Sequence, residues 1–233
     1  MDAARAAALG RAGVNRVSIG VQDFSPEVQA AINRHQSFAT TRQVVDQLRQ
    51  AGIGALNIDL VYGLPHQTEA RLAETLEQAL ALSPDRLAVF GYAHLPQRIR
   101  HQRLIPDDTL PGHEARLRLA ELATARLLEA GYVRIGLDHF ARPDDTLARG
   151  PVHRNFQGYT TDPSDALIGF GASAISRLPQ GYAQNATAVA DYRRRIATTG
   201  LATARGVALS EDDRMRAHVI ERLMCDLTYS AAD

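Results

Sequence analysis

Three short apolar runs in this chain end in groups that can do chemistry. RVSIGV leads into Gln22 and Asp23, ALNIDLVYG carries Asp59 and Tyr62, and DRLAVFG leads into Tyr92 and His94. Amides, carboxylates, phenols and an imidazole can donate, accept and move protons, whereas the aliphatic runs before them cannot. One polar tip is an ordinary loop start. Three in succession read as the mouth of one functional site.

Other clusters lie further along. GLDHFARPDD offers Asp138 and His139 as an acid/base pair or as metal ligands. Neighbours on a strand point to opposite faces, so these two meet only if the backbone turns between them. Zinc sites want His and Cys at set spacings, and none of the eight histidines has another four residues away, so no histidine-bound metal is expected. HRNFQGYTT gathers His153, Arg154, Asn155, Gln157 and Tyr159 and reads as a polar cradle for a ligand. GFGASAIS has small residues that let backbone approach a ligand or a strand. No helix follows it directly, so it is not a dinucleotide fingerprint. Ser173 and Ser176 lack the G-x-S-x-G elbow of serine hydrolases.

The elements that position these groups alternate. GVNRVSIGVQ reads as a strand and SPEVQAAINR as a helix, with Ser25 as cap and Pro26 at its first position. A second helix spans about residues 41–51 and ends at Gly52. The strand in ALNIDLVYGLP is followed by a helix opened by Thr68, with Leu72, Leu76, Ala79 and Leu80 on one stripe. DRLAVFGYAHLP is the third strand. Strands alternating with helices predict a parallel sheet with right-handed crossovers. The near-continuous apolar runs predict strands covered on both faces. In such folds the C-terminal strand ends form the active-site face, which is where the polar tips fall. A long helix then runs over about residues 112–130. Short strands and hairpins follow, then a helix ended by Gly200, then one capped by Ser210 that finds no partner before the sequence stops.

The 233 residues carry 26 basic and 26 acidic side chains, and every basic one is arginine. Zero net charge argues against nucleic acid or an anionic membrane as partner. No apolar run approaches the roughly 20 residues of a membrane span. The Ala- and Arg-rich opening is read as a helix ended by Gly13, and the expected location is cytoplasmic. Cys225 is the one cysteine, so no disulfide forms within the chain, which fits a reducing compartment. It is expected in the core, on an apolar helix face in VIERLMCDL.

Over residues 13–225 the sequence resembles the oxygen-independent coproporphyrinogen III oxidases, radical S-adenosylmethionine enzymes of haem biosynthesis. The matching stretches are GVNRVSIGVQDF, INRHQ, NIDLVYGLPHQT, SPDRLAVFGYAHLP, LDHFARPDD, HRNFQGYTT, GASAIS and YAQN. The resemblance implies an α/β fold, the C-terminal half of a partial (β/α)6 radical-SAM barrel with an appended α+β extension. It implies S-adenosylmethionine and a [4Fe–4S] cluster as cofactors and coproporphyrinogen III as substrate, converted to protoporphyrinogen IX by decarboxylation of two propionates. By motif, Gln22, Arg34, Asp59, Ala93 and Ile175 match contacts to S-adenosylmethionine. Arg34 is suited to fork onto its methionyl carboxylate, and Gln22 and Asp59 to accept from ribose hydroxyls. The substrate's propionates need fixed cations, for which Arg142 and Arg154 are the candidates, with His94 and Tyr159 beside them.

The family's C-x-x-x-C-x-x-C cluster motif is missing, so the stretch is expected to be a fragment, monomeric, with no cluster or turnover by itself. The expected parts are residues 1–108 as the last three β/α units, 109–205 as a capping helix and β-rich extension, and 206–233 as the start of a helical domain. The alternative within the same family is a haem-binding chaperone that does not decarboxylate, a reading less consistent with GVQDF and HRNFQGYTT.

Overall fold

The structure, a computed structural model, describes residues 1–155, 158–228 and 230. Two compact units are present, Met1–Gly150 and Pro151–Asp233.

The first unit runs α1 (Ala3–Arg11), β1 (Arg16–Gln22), α2 (Pro26–Ala31), α3 (Phe38–Gln50), β2 (Ala55–Tyr62), α4 (Glu69–Ala81), β3 (Arg86–Gly91), α5 (His113–Glu129), β4 (Val133–Ile135), β5 (His139–Ala141) and α6 (Thr146–Arg149). Strands β1, β2 and β3 are parallel neighbours, as the alternating pattern predicts. The GLDHFARPDD segment adds to the same sheet: β5 pairs antiparallel with β3, and β4 with β5, in the order β1-β2-β3-β5-β4.

Side chains alternate across this sheet. Val21, Leu56, Ile58, Leu60, Leu87 and Val89 face the helices and pack on Val45 of α3, Leu72, Leu76 and Ala79 of α4, and Leu119, Ala123 and Leu127 of α5. A fully buried aliphatic side chain of this size contributes about 1.5–3 kcal/mol. The other face of β1 and β2 carries Ser18, Gly20, Asn57 and Asp59, none of them buried. The expectation of strands covered on both faces is therefore corrected. Polar residues at every second position leave one face of β1 and β2 open.

Local caps explain the helix starts. Ser37 Oγ accepts from Thr40 N at 3.1 Å, so α3 begins three residues earlier than its apolar pattern suggests. Thr68 caps α4 as predicted. Ser25 does not cap α2, because its side chain makes no capping bond. Instead Asp23 Oδ1 accepts from Ser25 N at 2.6 Å.

The second unit holds a hairpin, β6 (His153–Asn155) with β7 (Gly158–Thr160), and an antiparallel sheet ordered β10-β9-β8. Its strands are β8 (Ile175–Leu178), β9 (Gly181–Asn185) and β10 (Thr203–Ala208), with α7 (Val189–Thr199) and α8 (Glu211–Asp226) beside them. Gly200 ends α7 at φ 74°, a left-handed position that glycine takes without cost. The Ser210–Asp213 capping box opens α8. This helix has a partner after all: it lies against β6, and Tyr159 Oη donates to Met224 O at 2.8 Å. Cys225 is half-buried rather than core, and Ile220 and Leu223 of α8 are exposed.

A buried ion pair fixes the start of β3. Arg86 donates through Nε and Nη2 to both oxygens of Asp145, at 2.8 and 2.7 Å, with the two side chains 7% and 11% exposed. Burial alone would raise the Asp145 carboxyl, but the Arg86 fork, the Leu147 N–H and the positive charges of Arg86 and Arg16 outweigh it and hold its pKa below the ordinary value. A carboxyl with a depressed folded pKa stabilises the fold above its unfolded pKa, and that contribution is lost as pH falls through the folded value. Asp145→Ala should cost about 3–5 kcal/mol at neutral pH, because it leaves Arg86 buried and unpaired. In urea melts the gap between wild type and variant should narrow as pH falls below about 4.

Candidate functional site

Gly20 is the centre of the open face of β1. It pairs in register with Asp59 on β2, and the register then slips by one residue before Gln22. Gln22 is left-handed, with φ 72°. A non-glycine residue held there costs about 1–3 kcal/mol and marks a strand re-aimed by a bulge. The slip brings the Gln22 side chain back over Gly20. A Cβ at Gly20 would lie 2.9 Å from Gln22 Nε2 and 3.4 Å from Arg34 Nη2.

Arg34 reaches the same spot from the loop after α2. Its Nη2 donates to Gly20 O at 2.5 Å and to Gln36 Oε1 at 3.2 Å. Asp59 accepts from Ser18 Oγ at 3.0 Å and from Asn57 Nδ2 at 2.6 Å. Three predicted residues, Gln22, Arg34 and Asp59, thus meet around one glycine. The cation and the carboxylate are each held by neutral partners, so both keep charge to offer a ligand.

The third tip is built differently. Ala93 is exposed on the loop after β3. Buried Gln102 fixes this loop, donating to Ala93 O at 3.0 Å and accepting from Leu95 N at 2.5 Å. Beside it, Tyr92 Oη and His94 Nδ1 are 3.3 Å apart, and His94 Nε2 and Asp107 Oδ1 are 3.1 Å apart. Burial holds the Tyr92 phenol above its ordinary pKa.

Arg142 is not at these tips. Strand β5 runs against β3, so its end falls at the start of β3, where Arg142 N donates to Asp85 O. The Arg142 guanidinium there pairs with Asp144 at 3.2 Å. Asp138 and His139 do meet, at 2.7 Å, because the chain turns over residues 136–138 just before β5. Among the described residues no group of His, Cys, Asp and Glu could hold a metal ion.

In the second unit, Arg154 and Tyr159 face each other across the hairpin, with the guanidinium 4.8 Å from the ring centroid. Arg154 lines a polar cavity of about 210 Å³ with His153, Asp162, Ser164, Arg177 and Glu221. Tyr159 is buried and its hydroxyl is committed to Met224 O. Ile175 is half-buried at the start of β8. Gln157 lies outside the described residues.

Some of the site was not foreseen. Ser18 and Asn57 hold Asp59, and Asp23 is entirely buried. Burial pushes the Asp23 carboxyl above its ordinary pKa, against donors from Gln67, Ser25 and Thr75 and the charge of Arg71. The period-two spacing of Ser18, Gly20 and Gln22, matched by Asn57 and Asp59, was the available signal.

Residues 1–79 match the model of the radical SAM superfamily. The oxygen-independent coproporphyrinogen III oxidase of Bradyrhizobium diazoefficiens is 54% identical over 97% of this chain and 51% of that protein. That of Paracoccus denitrificans is 52% identical over 100% of this chain and 52% of its own length. The solved coproporphyrinogen III oxidase of Escherichia coli, described as a radical SAM enzyme, superimposes with a TM-score of 0.86 at 44% identity, covering 97% of this chain and 53% of that one. The first third of the chain thus carries the radical SAM superfamily's pattern, and the chain's fold matches a portion of the solved radical SAM enzyme. Within that class its sequence is similar to those of oxygen-independent coproporphyrinogen III oxidases, and it spans about half the length of the curated relatives it matches. Nothing among the relatives described supports the haem-chaperone alternative.

The residues present fit one implied cofactor and not the other. The donor set around Gly20, a guanidinium, an amide and a carboxylate where any side chain on Gly20 would collide, fits S-adenosylmethionine. One cysteine does not fit an iron–sulfur cluster. Cys225 is also a poor thiolate: burial first, then the charge of Glu221, push its thiol up to about 11 from 9.0. Its alkylation by iodoacetamide near neutral pH should run roughly 100-fold slower than that of an unperturbed thiol, since the thiolate is the nucleophile. A rate matching free cysteine would contradict this environment.

Proposed function

We propose that this chain forms part of an oxygen-independent coproporphyrinogen III oxidase, which turns coproporphyrinogen III into protoporphyrinogen IX by oxidative decarboxylation of two propionates. The observation that carries the reading is the convergence of Gln22, Arg34 and Asp59 around Gly20. The names of the relatives support it.

In this reading the Arg34 guanidinium takes the methionyl carboxylate of S-adenosylmethionine. Asp59, oriented by Ser18 and Asn57, accepts from ribose hydroxyls, and Gln22 adds an amide beside them. The exposed loop at Ala93 supplies a further contact. With a [4Fe–4S] cluster, whose ligands this stretch does not carry, bound S-adenosylmethionine supplies the hydrogen-atom acceptor for the reaction. Each propionate loses CO2, one hydrogen atom and one electron to become a vinyl group.

For the substrate, Arg154 offers a fixed cation beside the aromatic face of Tyr159, and His94 offers an imidazole already oriented by Tyr92 and Asp107. Arg142 serves there only if it leaves Asp144. The active form is a cytoplasmic monomer without a nucleic-acid or membrane partner. No described helix is long and apolar enough to cross a membrane.

Two substitutions test the assignments in the cluster-loaded enzyme. Asp59→Ala should weaken S-adenosylmethionine binding by about tenfold or more, the worth of one charge-assisted hydrogen bond, as read by calorimetry. Arg154→Ala should weaken porphyrinogen binding by a similar factor while leaving S-adenosylmethionine affinity within about twofold. Wild-type affinity for both ligands in the Arg154 variant would remove that residue from the substrate site.

A further inference from the structure

Two buried amides and one buried carboxylate tie together the loops that carry the Gly20 cradle. Asp23 is 0% exposed, and Gln29 and Gln67 are each 5% exposed. The Asp23 carboxylate accepts from Ser25 N at 2.6 Å, Thr75 Oγ1 at 3.1 Å and Gln67 Nε2 at 2.6 Å. Gln67 also donates to Val61 O at 3.0 Å and accepts from Gly63 N at 2.6 Å, so the ends of β1 and β2 are joined through one side chain.

Gln29 makes the second tie. Its Nε2 donates to Asp23 O at 2.8 Å and to Gln36 O at 2.7 Å, and its Oε1 accepts from Gln36 N at 2.9 Å. The backbone of Gln36 is thereby clamped on both sides. Gln36 in turn presents Oε1 to Arg34 Nη2 at 3.2 Å, and its own Nε2 donates to Thr41 Oγ1 at 3.1 Å. A chain of contacts thus runs from the end of β1 through Gln29 and Gln36 to the guanidinium over Gly20. None of these groups needs to touch the ligand.

We propose that Gln29, anchored on Asp23, is a positioning residue for cofactor binding: through Gln36 it presets the Arg34 side chain over the Gly20 cradle. The inference rests on the assignment of that cradle to S-adenosylmethionine. Pre-setting matters because a free arginine side chain must lose its rotamer freedom when a ligand orders it. A surface arginine held in place before binding avoids most of that cost.

The test is a double-mutant cycle on S-adenosylmethionine affinity in the cluster-loaded enzyme, measured by calorimetry. Gln29→Met keeps the side chain's length and removes its hydrogen bonds. Gln36→Met, on a half-buried side chain, is the second variant should the first fail to fold. Each should lower affinity by about five- to tenfold, and by less than about twofold in an Arg34→Ala background, because coupled residues do not add. Urea melts separate this from a structural role, since any stability loss should be the same in both backgrounds. Equal affinity losses with and without Arg34, or no loss in either single variant, would overturn the proposal. If Arg34→Ala and Asp59→Ala both bind normally, the cradle's assignment fails instead.

Discussion

A carboxylate with no exposure to water stands at the end of an otherwise apolar strand, and the arrangement of the strand ends follows from satisfying it. Asp23 has only donors around it: a backbone N–H, a hydroxyl and an amide. A buried charged group left short of partners costs several kcal/mol. The loop after β1, the loop after β2 and the first turns of α4 therefore cannot move independently. Thr75 closes the set, accepting from Phe24 N at 3.1 Å while donating to Asp23. The polar tip is thus two residues with opposite fates: Gln22 faces the open side of the sheet, and Asp23 faces the core.

The two faces of the sheet divide the work. The helix-facing side chains hold the fold by burial alone, with no polar atom to satisfy. The opposite face is built of small or polar side chains, and Asp59 is only half-buried there. The division is sharpest in β2, where Leu56, Ile58 and Leu60 alternate with Asn57 and Asp59. A slip of one residue in this strand would exchange the two sets. The leucines and isoleucine that stabilise the unit thus also aim Asp59.

Much of this was legible in the sequence. The β/α alternation, the caps at Thr68 and Ser210 and the stop at Gly200 are local features, and local chemistry decides them. Short hairpins were expected after α5, but that β5 and β4 extend the parallel sheet beyond β3 was not, because strands of three residues carry no periodic signal. Ser25 was read as the cap of α2, but its side chain makes no capping bond, because the buried Asp23 carboxylate takes the Ser25 N–H instead and only the fold reveals that burial. Of the candidate site, Gln22, Arg34 and Asp59 came from motif resemblance, and the structure supplies what resemblance could not, their meeting over Gly20. The supporting glutamines were invisible. Gln29 sits in a short amphipathic helix and Gln67 in a turn, where an amide is ordinary until its burial is known.

The arginines show how charge is allotted. Arg86 is neutralised by Asp145, Arg118 by Glu69 and Arg142 by Asp144. In such pairs the guanidinium is spent on the protein itself. Arg34 differs, because the partners that hold it are a carbonyl and an amide oxygen. Neutral acceptors fix its direction without cancelling its charge. Asp59, held by a hydroxyl and an amide, is its acidic counterpart on the same face. An exposed cation and a half-buried anion, each held by neutral partners, suit a ligand that presents an anionic carboxylate at one end and hydroxyl donors further along. S-Adenosylmethionine has that pattern, and a purely apolar or uniformly anionic ligand does not. In the proposed function the same charge logic separates the two candidate regions: a porphyrinogen with four carboxylates is repelled by Asp59 and attracted by Arg154, whose guanidinium lies over an aromatic ring at the edge of a polar cavity.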